Sequence, residues 1–258
     1  TEQRRFLNDP DGFARLMEAT RRHAAGVHGT VVGIAPHSLR AAPIGDMETV
    51  LPLNEGGPVH IPVAEQVREV EECMAATGAR PVQHLLSSLP VDGRWCLIHA
   101  THMTSEESAG AAKSGAVAGL CPVTEANLGD GIFDLPDFAR NGGTYGVGTD
   151  SNVAIGAAEE LRQLEYSQRL ATRTRNVVCD GERSPGRTLF EAAFAGGAKA
   201  LGRDGSGLAV GAPADLISLA EGHPNLTAKA GDGLLDSWIF SVGTAGVDCV
   251  WTAGVKRV

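Results

Sequence analysis

Five short apolar runs in the amino-terminal part of the chain constrain its fold more than any other feature of the sequence. They cover residues 29–36, 57–63, 94–100, 115–120 and 143–150, and the first two are rich in β-branched residues. Three of them are followed by segments of helical character, and strands that alternate with helices are typical of a parallel sheet with helices outside. The sequence therefore predicts an α/β fold built on a parallel sheet.

Polar or ionisable residues stand where these runs end. They are His37, Glu65, His99, Cys121 and Asp150. In a (β/α)8 barrel the catalytic groups come from the carboxyl ends of several strands, and an open doubly wound sheet also binds its ligands there. The chain lacks the Gly-x-Gly-x-x-Gly turn of a dinucleotide-binding sheet. The pattern therefore favours a barrel-type site over a dinucleotide site.

The carboxyl-terminal part of the chain has a different sequence pattern from the rest. Residues 189–201 have the pattern of a helix, residues 207–219 resemble strands punctuated by glycine and proline, and residues 247–258 resemble a strand pair. We therefore predict a partial (β/α)8 barrel over residues 1–187 and a helix with a small β module over residues 188–258.

Composition and charge exclude several classes of function. The formal net charge is −9 and the isoelectric point is near 5.4, so a nucleic-acid partner is not expected. No apolar run reaches the length that spans a membrane, and residues 1–13 lack the apolar region of a signal peptide. The five cysteines are scattered and form no Cys-x-x-Cys pair, which indicates reduced thiols and a cytoplasmic protein.

Asp150 and His99 each allow two interpretations. Asp150 ends a glycine-rich run with no Lys or Arg after it until Arg162, so it suits a metal ligand or a general base for a metal-bound water. It also begins Asp-Ser-Asn, which is good turn chemistry, and taken alone it is more typical of a turn. His99 ends a buried run, and His102 follows it. A single such histidine is more often a hydrogen-bonded structural residue than a ligand.

Glu65, His37 and Arg40 also have a structural alternative. Glu65 opens a helix with further acids in its first turns, where negative charge complements the helix dipole. Arg40 lies three residues after His37 and can hold a substrate carboxylate by a two-pronged salt bridge, with His37 as a further donor. The alternative for Arg40 is a surface loop. Each signal is weak alone, and their order along successive runs strengthens them.

The order of these motifs resembles that of the amidohydrolase superfamily and, within it, the formimidoylglutamate deiminases. The segments that carry the resemblance are GIAPHSLRAAP, PVHIPVAEQ, WCLIHATHMT, GLCPVTEANLGDGIFDLP and GVGTDSNVAIGAAEELRQLEYSQR. It continues into TLFEAAFAGGAKALGR, LAVGAPADLISL and LLDSWIF, and so covers nearly the whole chain. The resemblance implies a TIM-barrel, metal-dependent hydrolase fold, of which this chain resembles strands four to eight and part of a small β-sandwich module.

The resemblance also implies a reaction and a set of roles. Such enzymes deiminate N-formimino-L-glutamate in histidine degradation, giving N-formyl-L-glutamate and ammonia, with a water activated by one divalent metal, usually zinc. Asp150 matches the metal ligand and base of the eighth strand, and Glu65 matches the group that protonates the departing ammonia. His99 matches a histidine that orients water and substrate, while His37 and Arg40 match residues that hold the carboxylate-bearing end of the substrate.

Three departures from the family pattern concern the metal. The family motif reads His-Ile-His-Ile-Ala-Glu-Gln, and Pro62 stands where its second histidine, a metal ligand, belongs. His60 lies on the same side of the strand but about 7 Å further down, too far to replace it. The chain has no His-x-His pair, and Asn152 stands where a histidine is usual. Of the four usual ligands only Asp150 is found, so this chain alone is not expected to hold zinc tightly.

Part of a barrel also needs a partner. Five strands leave two open edges and half a core exposed, so we expect completion by the rest of a longer protein, by a second copy in a homo-oligomer or by another chain. One alternative function is a catalytically inactive homologue or fragment that has lost its metal site. Another is a deaminase of a different amidine or aminated ring, although Arg40 favours a substrate with a carboxylate.

Overall fold

The computed structural model describes residues 7–179, 181–203, 205 and 207–257. The α-helices are α1 (Pro10–Ala24), α2 (Ile44–Val50), α3 (Val67–Thr77), α4 (Pro81–Ser88), α5 (Ser105–Ser114), α6 (Pro122–Leu128), α7 (Leu135–Arg140), α8 (Ala157–Thr172), α9 (Pro185–Ala200) and α10 (Asp232–Ser237). The strands are β1 (Val59–Val63), β2 (Trp95–His99), β3 (Val117–Leu120), β4 (Thr144–Val147), β5 (Leu216–Leu219), β6 (Val247–Thr252) and β7 (Val255–Lys256). Shorter helical turns cover Leu51–Asn54, Trp238–Val242 and Gly243–Gly246.

Four of the five predicted strands form one parallel sheet in the order β1–β2–β3–β4. Each strand pairs with the one that follows it in the chain, and one or more helices lie between consecutive strands. Such crossovers bring the carboxyl ends of all four strands to the same edge of the sheet. The parallel α/β arrangement predicted from the sequence is confirmed.

The first predicted strand, over residues 29–36, is reduced to a single bridge. Ile34 pairs in parallel with Val59 at the outer edge of β1. The Ile34 N–H donates to the Pro58 carbonyl oxygen at 3.0 Å, and the His60 N–H donates to the Ile34 carbonyl oxygen at 2.9 Å. The segment therefore touches the sheet, as expected, but it does not extend it by a full strand.

Two prolines explain why this pairing stops. Along one edge of a strand, the N–H groups that point to a neighbour recur every second residue, so the next donors after Ile34 and His60 would be Pro36 and Pro62. Proline has no N–H to donate. Pro62 leaves the contact with β2 intact, because the opposite edge of β1 is the one that bonds β2, where the Val59 N–H donates to the Arg94 carbonyl oxygen.

The two faces of the parallel sheet are packed differently. One face lies in the main apolar core, and its residues include Ile61, Leu97, Ala118 and Tyr145. The other face carries His60, Pro62 and Ile98, which are only half-buried. The carboxyl end of α9 reaches this second face, where the His60 Nε2 atom lies 2.7 Å from the Ala200 carbonyl oxygen. The second face is therefore covered in part.

The carboxyl-terminal part contains an antiparallel sheet in the order β5–β6–β7. β6 and β7 form the predicted strand pair, with Thr252 opposite Val255. α9 lies against β4, and a division of the chain after residue 187 stays a prediction. Within the described residues, none of the helices is both long and apolar enough to span a membrane.

We expect Gly196→Ala to destabilise the fold by about 2 kcal/mol or more. A Cβ atom at Gly196 would lie 1.8 Å from the Tyr145 carbonyl oxygen, so α9 would have to move away from β4. The matched control is Gly197→Ala, whose Cβ meets nothing within 4 Å and which should be neutral or stabilise the helix by up to about 1 kcal/mol. Urea unfolding of both variants checks this, and equal effects would contradict the packing described.

Candidate active site

Three predicted site residues come together at the carboxyl edge of the parallel sheet. The His99 Nε2 atom lies 3.8 Å from Glu65 Oε1 and 3.8 Å from Asp150 Oδ2. His99 is buried, Glu65 is half-buried and Asp150 is exposed. The three side chains come from the ends of β2, β1 and β4, which are far apart in the chain. The structure therefore brings the three residues together, and their catalytic roles stay a prediction.

The backbone at these strand ends is in the left-handed region. The φ angles are +53° at Ala64, +64° at His99, +48° at Ala100 and +52° at Asp150. A non-glycine residue in this conformation costs about 1 kcal/mol or more and persists only where its surroundings hold it. Such residues cluster at functional sites. Here they turn the chain out of the strand at the points where the site side chains are needed.

Glu69 holds one of these turns. Its Oε1 atom accepts the Ala64 N–H at 3.0 Å, and its Oε2 atom accepts the Glu65 N–H at 2.9 Å. The Glu69 side chain is 2% exposed, so the two hydrogen bonds compensate the cost of burying its charge. The sequence suggested only a favourable charge at the start of α3, whereas in the fold Glu69 fixes the backbone of Glu65.

Glu125 contacts His99 from the other side. Its Oε1 atom lies 3.3 Å from His99 Nδ1 and accepts the Cys121 N–H at 2.9 Å. Glu125 and His99 are both 4% exposed. Glu125 belongs to the family segment CPVTEANLGDG, but the sequence alone predicted no role for it. Glu125 and Glu69 share a sequence pattern that could have predicted this role. Each lies in the first turn of a helix, four residues after the strand-end residue whose N–H it accepts.

A further side of the site is formed by the loop after α6. The Gln66 Nε2 atom donates to Asp130 Oδ1 at 3.1 Å, and His102 Nε2 lies 2.8 Å from the Asp130 carbonyl oxygen. The second carboxylate oxygen of Asp130, Oδ2, is buried without a partner. His102 therefore fixes the loop rather than extending the cluster around His99.

Charge at the site favours protonated groups. Burial raises the pKa of Glu65, and His99 only partly offsets it, while Asp130 and other nearby carboxylates raise it further. Burial lowers the pKa of His99, but its hydrogen bond with Glu125 and the charges of Glu65, Glu125 and Asp150 outweigh burial and raise it. A raised pKa favours the protonated form of each group, which suits a role in giving a proton to a leaving nitrogen.

His37 and Arg40 lie on the segment beside β1 and are both exposed. His37 Nδ1 is 3.2 Å from the hydroxyl of the buried Ser38. Arg40 has no hydrogen bond or ion pair within the described part of the chain. The structure thus leaves the Arg40 guanidinium available, and its role in substrate binding stays a prediction.

The residues of this chain do not fit a metal ion on their own. Within the described ranges, no three or more His, Cys, Asp or Glu side chains are grouped so that they could hold a metal. Pro62 lies beside Ile98 in the sheet and has no donor atom, while His60 Nε2 is engaged by the Ala200 carbonyl oxygen. A tetrahedral zinc site needs three or four ligands, and Asp150 by itself does not supply them.

Glu160 lies behind the site at the start of α8. It is 1% exposed, its Oε2 atom accepts the Val123 N–H at 2.9 Å, and its Oε1 atom is buried without a partner. Burial raises the pKa of Glu160 to about 7, partly offset by the hydrogen bond from Val123 and reinforced by the charges of Glu125, Glu159 and Asp150. This carboxyl therefore titrates near neutrality.

Comparison with known proteins assigns the family. The amidohydrolase family model matches residues 11–256. The chain belongs to the amidohydrolase family. The superfamily membership predicted from the sequence is thereby confirmed, together with an amidohydrolase-type α/β fold, while the numbering of its strands as four to eight stays a prediction.

This chain matches 56% of the length of each of three similar proteins. A formimidoylglutamate deiminase from Pseudomonas aeruginosa is 48% identical over 254 residues, which are 98% of this amidohydrolase and 56% of the relative. The crystal structure of an amidohydrolase from Brucella melitensis is 54% identical with a TM-score of 0.94, over 99% of this chain and 56% of that one. An adenosine deaminase from Xanthomonas campestris, solved with bound zinc, is 24% identical with a TM-score of 0.85, over 96% of this chain and 56% of that one. The chain spans just over half the length of each.

We expect Glu160→Gln to remove a pH-dependent loss of stability. The native carboxyl retains a proton between pH 4.5 and about 7 that the unfolded chain has released, so the free energy of unfolding falls as pH rises through this window. The fall is about 3 kcal/mol at most. Urea unfolding at pH 5 and pH 8 measures it.

Glu159→Gln is the matched control for this prediction. Burial raises the pKa of Glu159, but its hydrogen bonds with Thr244 outweigh burial and lower it. Its contribution to stability is therefore present above the unfolded pKa and lost as pH falls, so the variant should keep the fall between pH 5 and pH 8. A wild-type-like pH dependence in Glu160→Gln would contradict the assignment.

Proposed function

We propose that this chain carries the proton-transferring part of an iminohydrolase site that converts N-formimino-L-glutamate into N-formyl-L-glutamate and ammonia, a reaction of histidine degradation. The proposal rests on the grouping of Glu65, His99 and Asp150 in a chain 48% identical to a formimidoylglutamate deiminase. Because the chain spans 56% of that relative, the activity proposed is that of the completed protein.

Each of the three residues has a separate task in this proposal. Asp150 accepts a proton from the water whose oxygen bonds to the imine carbon. Glu65 gives a proton to the imine nitrogen as the water oxygen bonds to the carbon, and the raised pKa of its carboxyl suits an acid. As the C–N bond then breaks, the proton held by Asp150 passes to the nitrogen, which leaves as ammonia, and the proton of the new hydroxyl group returns to Glu65 as the C=O bond forms. His99 Nε2, at 3.8 Å from both carboxylates, contacts the reacting atoms between them.

The substrate carboxylate is bound by the segment beside β1. Arg40 is exposed and has no ion pair within the described residues, so its planar guanidinium can bind a carboxylate through two parallel hydrogen bonds. His37, three residues earlier, supplies a further donor. This requirement for a carboxylate favours N-formimino-L-glutamate over an aminated ring.

Zinc and a completing polypeptide are linked in this proposal. The described part of the chain lacks the ligands for a metal, and each relative carries 44% of its length outside the match, since the match covers 56%. A polypeptide equivalent to that remainder, in the same protein or in another chain, would cover the half-buried face and supply donors beside Asp150. A second copy of this chain is the other candidate. All five cysteines are unpaired, which supports a cytoplasmic protein.

Two other functions remain candidates. Pro62 in place of a ligand, and the lack of a metal-holding group in the described residues, favour an inactive homologue or a fragment. A deaminase of another amidine or ring has weaker support, because a 5-methylthioadenosine/S-adenosylhomocysteine deaminase is 33% identical over 66% of this chain, whereas the formimidoylglutamate deiminase is 48% identical over 98%.

We expect the chain alone to bind far less than one zinc and to release no ammonia from N-formimino-L-glutamate. Mixed or co-expressed with the part of the Pseudomonas aeruginosa relative that the match leaves out, it should bind zinc and release ammonia. Asp150→Asn and Glu65→Gln should each lower the rate at least about a hundredfold. Glu71→Gln, on the exposed side of α3, is the control and should keep the rate.

The measurements are zinc content by plasma mass spectrometry and ammonia release with N-formimino-L-glutamate or adenosine as substrate. Zinc without ammonia from either substrate would identify an inactive homologue. Ammonia from adenosine alone would identify the aminated-ring deaminase instead.

Arg40→Met should raise KM for N-formimino-L-glutamate with a loss of about thirtyfold to a hundredfold in kcat/KM, as expected when a charged, two-pronged hydrogen bond is lost. Arg68→Met is the control, since Arg68 is exposed on α3 and pairs with Glu72 there. Steady-state kinetics of the completed protein measures KM and kcat/KM for both variants. An unchanged KM in Arg40→Met would exclude Arg40 from carboxylate binding.

A further inference from the structure

We propose that Glu125 is a positioning residue for His99, which keeps a ring hydrogen on Nδ1 and turns Nε2 toward the gap between Glu65 and Asp150. The use of that gap rests on the proposed function, whereas the arrangement of the ring does not. Glu125 is a buried carboxylate for which the sequence alone predicted no role.

The contacts of one oxygen atom decide which ring nitrogen carries the hydrogen. Glu125 Oε1 lies 3.3 Å from His99 Nδ1 and accepts the Cys121 N–H at 2.9 Å. A carboxylate oxygen only accepts hydrogen bonds, so the hydrogen between Glu125 and the ring belongs to Nδ1. A neutral His99 therefore has its lone pair on Nε2.

Glu125 is held by hydrogen bonds to the backbone at the end of β3. Its own N–H donates to the Cys121 carbonyl oxygen at 2.9 Å while its carboxylate accepts the Cys121 N–H. The residue is thus bonded to the backbone of Cys121 in both directions, in the first turn of α6. The ring therefore adopts the direction that Glu125 sets.

The opposite ring nitrogen then faces the two site carboxylates. His99 Nε2 is 3.8 Å from Glu65 Oε1 and 3.8 Å from Asp150 Oδ2. Both distances exceed those of a direct hydrogen bond, so neither carboxylate occupies Nε2 in the described structure. A substrate nitrogen or a water oxygen can bond Nε2 in this gap. With Nδ1 engaged by Glu125, Nε2 is the ring nitrogen that faces the gap between Glu65 and Asp150.

Nitrogen-15 NMR of the chain labelled at histidine tests the arrangement directly. The tautomer of neutral His99 is measured at a pH above its titration, from the shifts of Nδ1 and Nε2 and their couplings to the ring protons; Glu125→Gln and Glu125→Met are compared with the wild type. We expect Nδ1–H in the wild type and in Glu125→Gln, whose amide oxygen can still accept. We expect Nε2–H, or a mixture, in Glu125→Met, which is similar in length but offers no oxygen.

Glu69→Gln is the matched control. Glu69 is also a buried carboxylate in the first turn of a helix, but at the strand end it accepts the Ala64 and Glu65 N–H groups instead of contacting a histidine ring. Its substitution should leave the His99 tautomer unchanged. An effect of Glu69→Gln equal to that of Glu125→Met would show a general loss of structure and would overturn the proposal.

The other outcomes also discriminate. Nε2–H in the wild type, or Nδ1–H retained in Glu125→Met, overturns the proposal. If Glu125→Met does not fold, the tautomers of the wild type and of Glu125→Gln still test the proposal, since both should carry the hydrogen on Nδ1. In the completed protein, Glu125→Met should lower kcat about tenfold to a hundredfold with little change in KM, and Glu125→Gln should recover most of it. If the completed protein releases no ammonia, the proposed function fails, while the NMR result stands or falls separately.

Discussion

Buried glutamates that accept hydrogen bonds at strand ends are the interaction on which the rest of the site depends. Glu69 accepts the N–H groups of Ala64 and Glu65, and Glu125 accepts that of Cys121. Each glutamate lies in the first turn of the helix that follows its strand, where the helix dipole also favours negative charge. One residue therefore stabilises the start of a helix and fixes the end of a strand. Because an unpaired buried carboxylate is costly, the strand end has little freedom to move.

Several residues at the strand ends have unfavourable backbone conformations. Ala64, His99 and Asp150 all have positive φ angles at the sheet edge. The turns bring His99 Nε2 within 3.8 Å of both carboxylates. At Ala64 the local strain is offset by the hydrogen bonds that Glu69 of α3 accepts from the backbone.

Pro62 has two separate consequences in this amidohydrolase. It removes an imidazole from the position where the family pattern has a metal ligand, and it removes an N–H from the outer edge of β1. Together with Pro36 it limits the pairing of the preceding segment to the bridge at Ile34. One proline thus limits the pairing at the outer edge of β1 and leaves a position on the half-buried face of the sheet without a donor atom.

The sequence by itself determined the alternation of strands and helices, the family and the residues at the strand ends, because hydrophobic periodicity and short motifs are local properties. It overestimated the strand over residues 29–36, since the effect of Pro36 depends on its pairing with Pro62 across two segments. It missed the roles of Glu69 and Glu125, because an acidic residue in the first turn of a helix is common and does not by itself indicate a contact with a strand end. Only the tertiary structure decided these, because a hydrogen bond between a buried carboxylate and the end of a strand, or between Glu125 and His99, exists only after the helices have packed on the sheet.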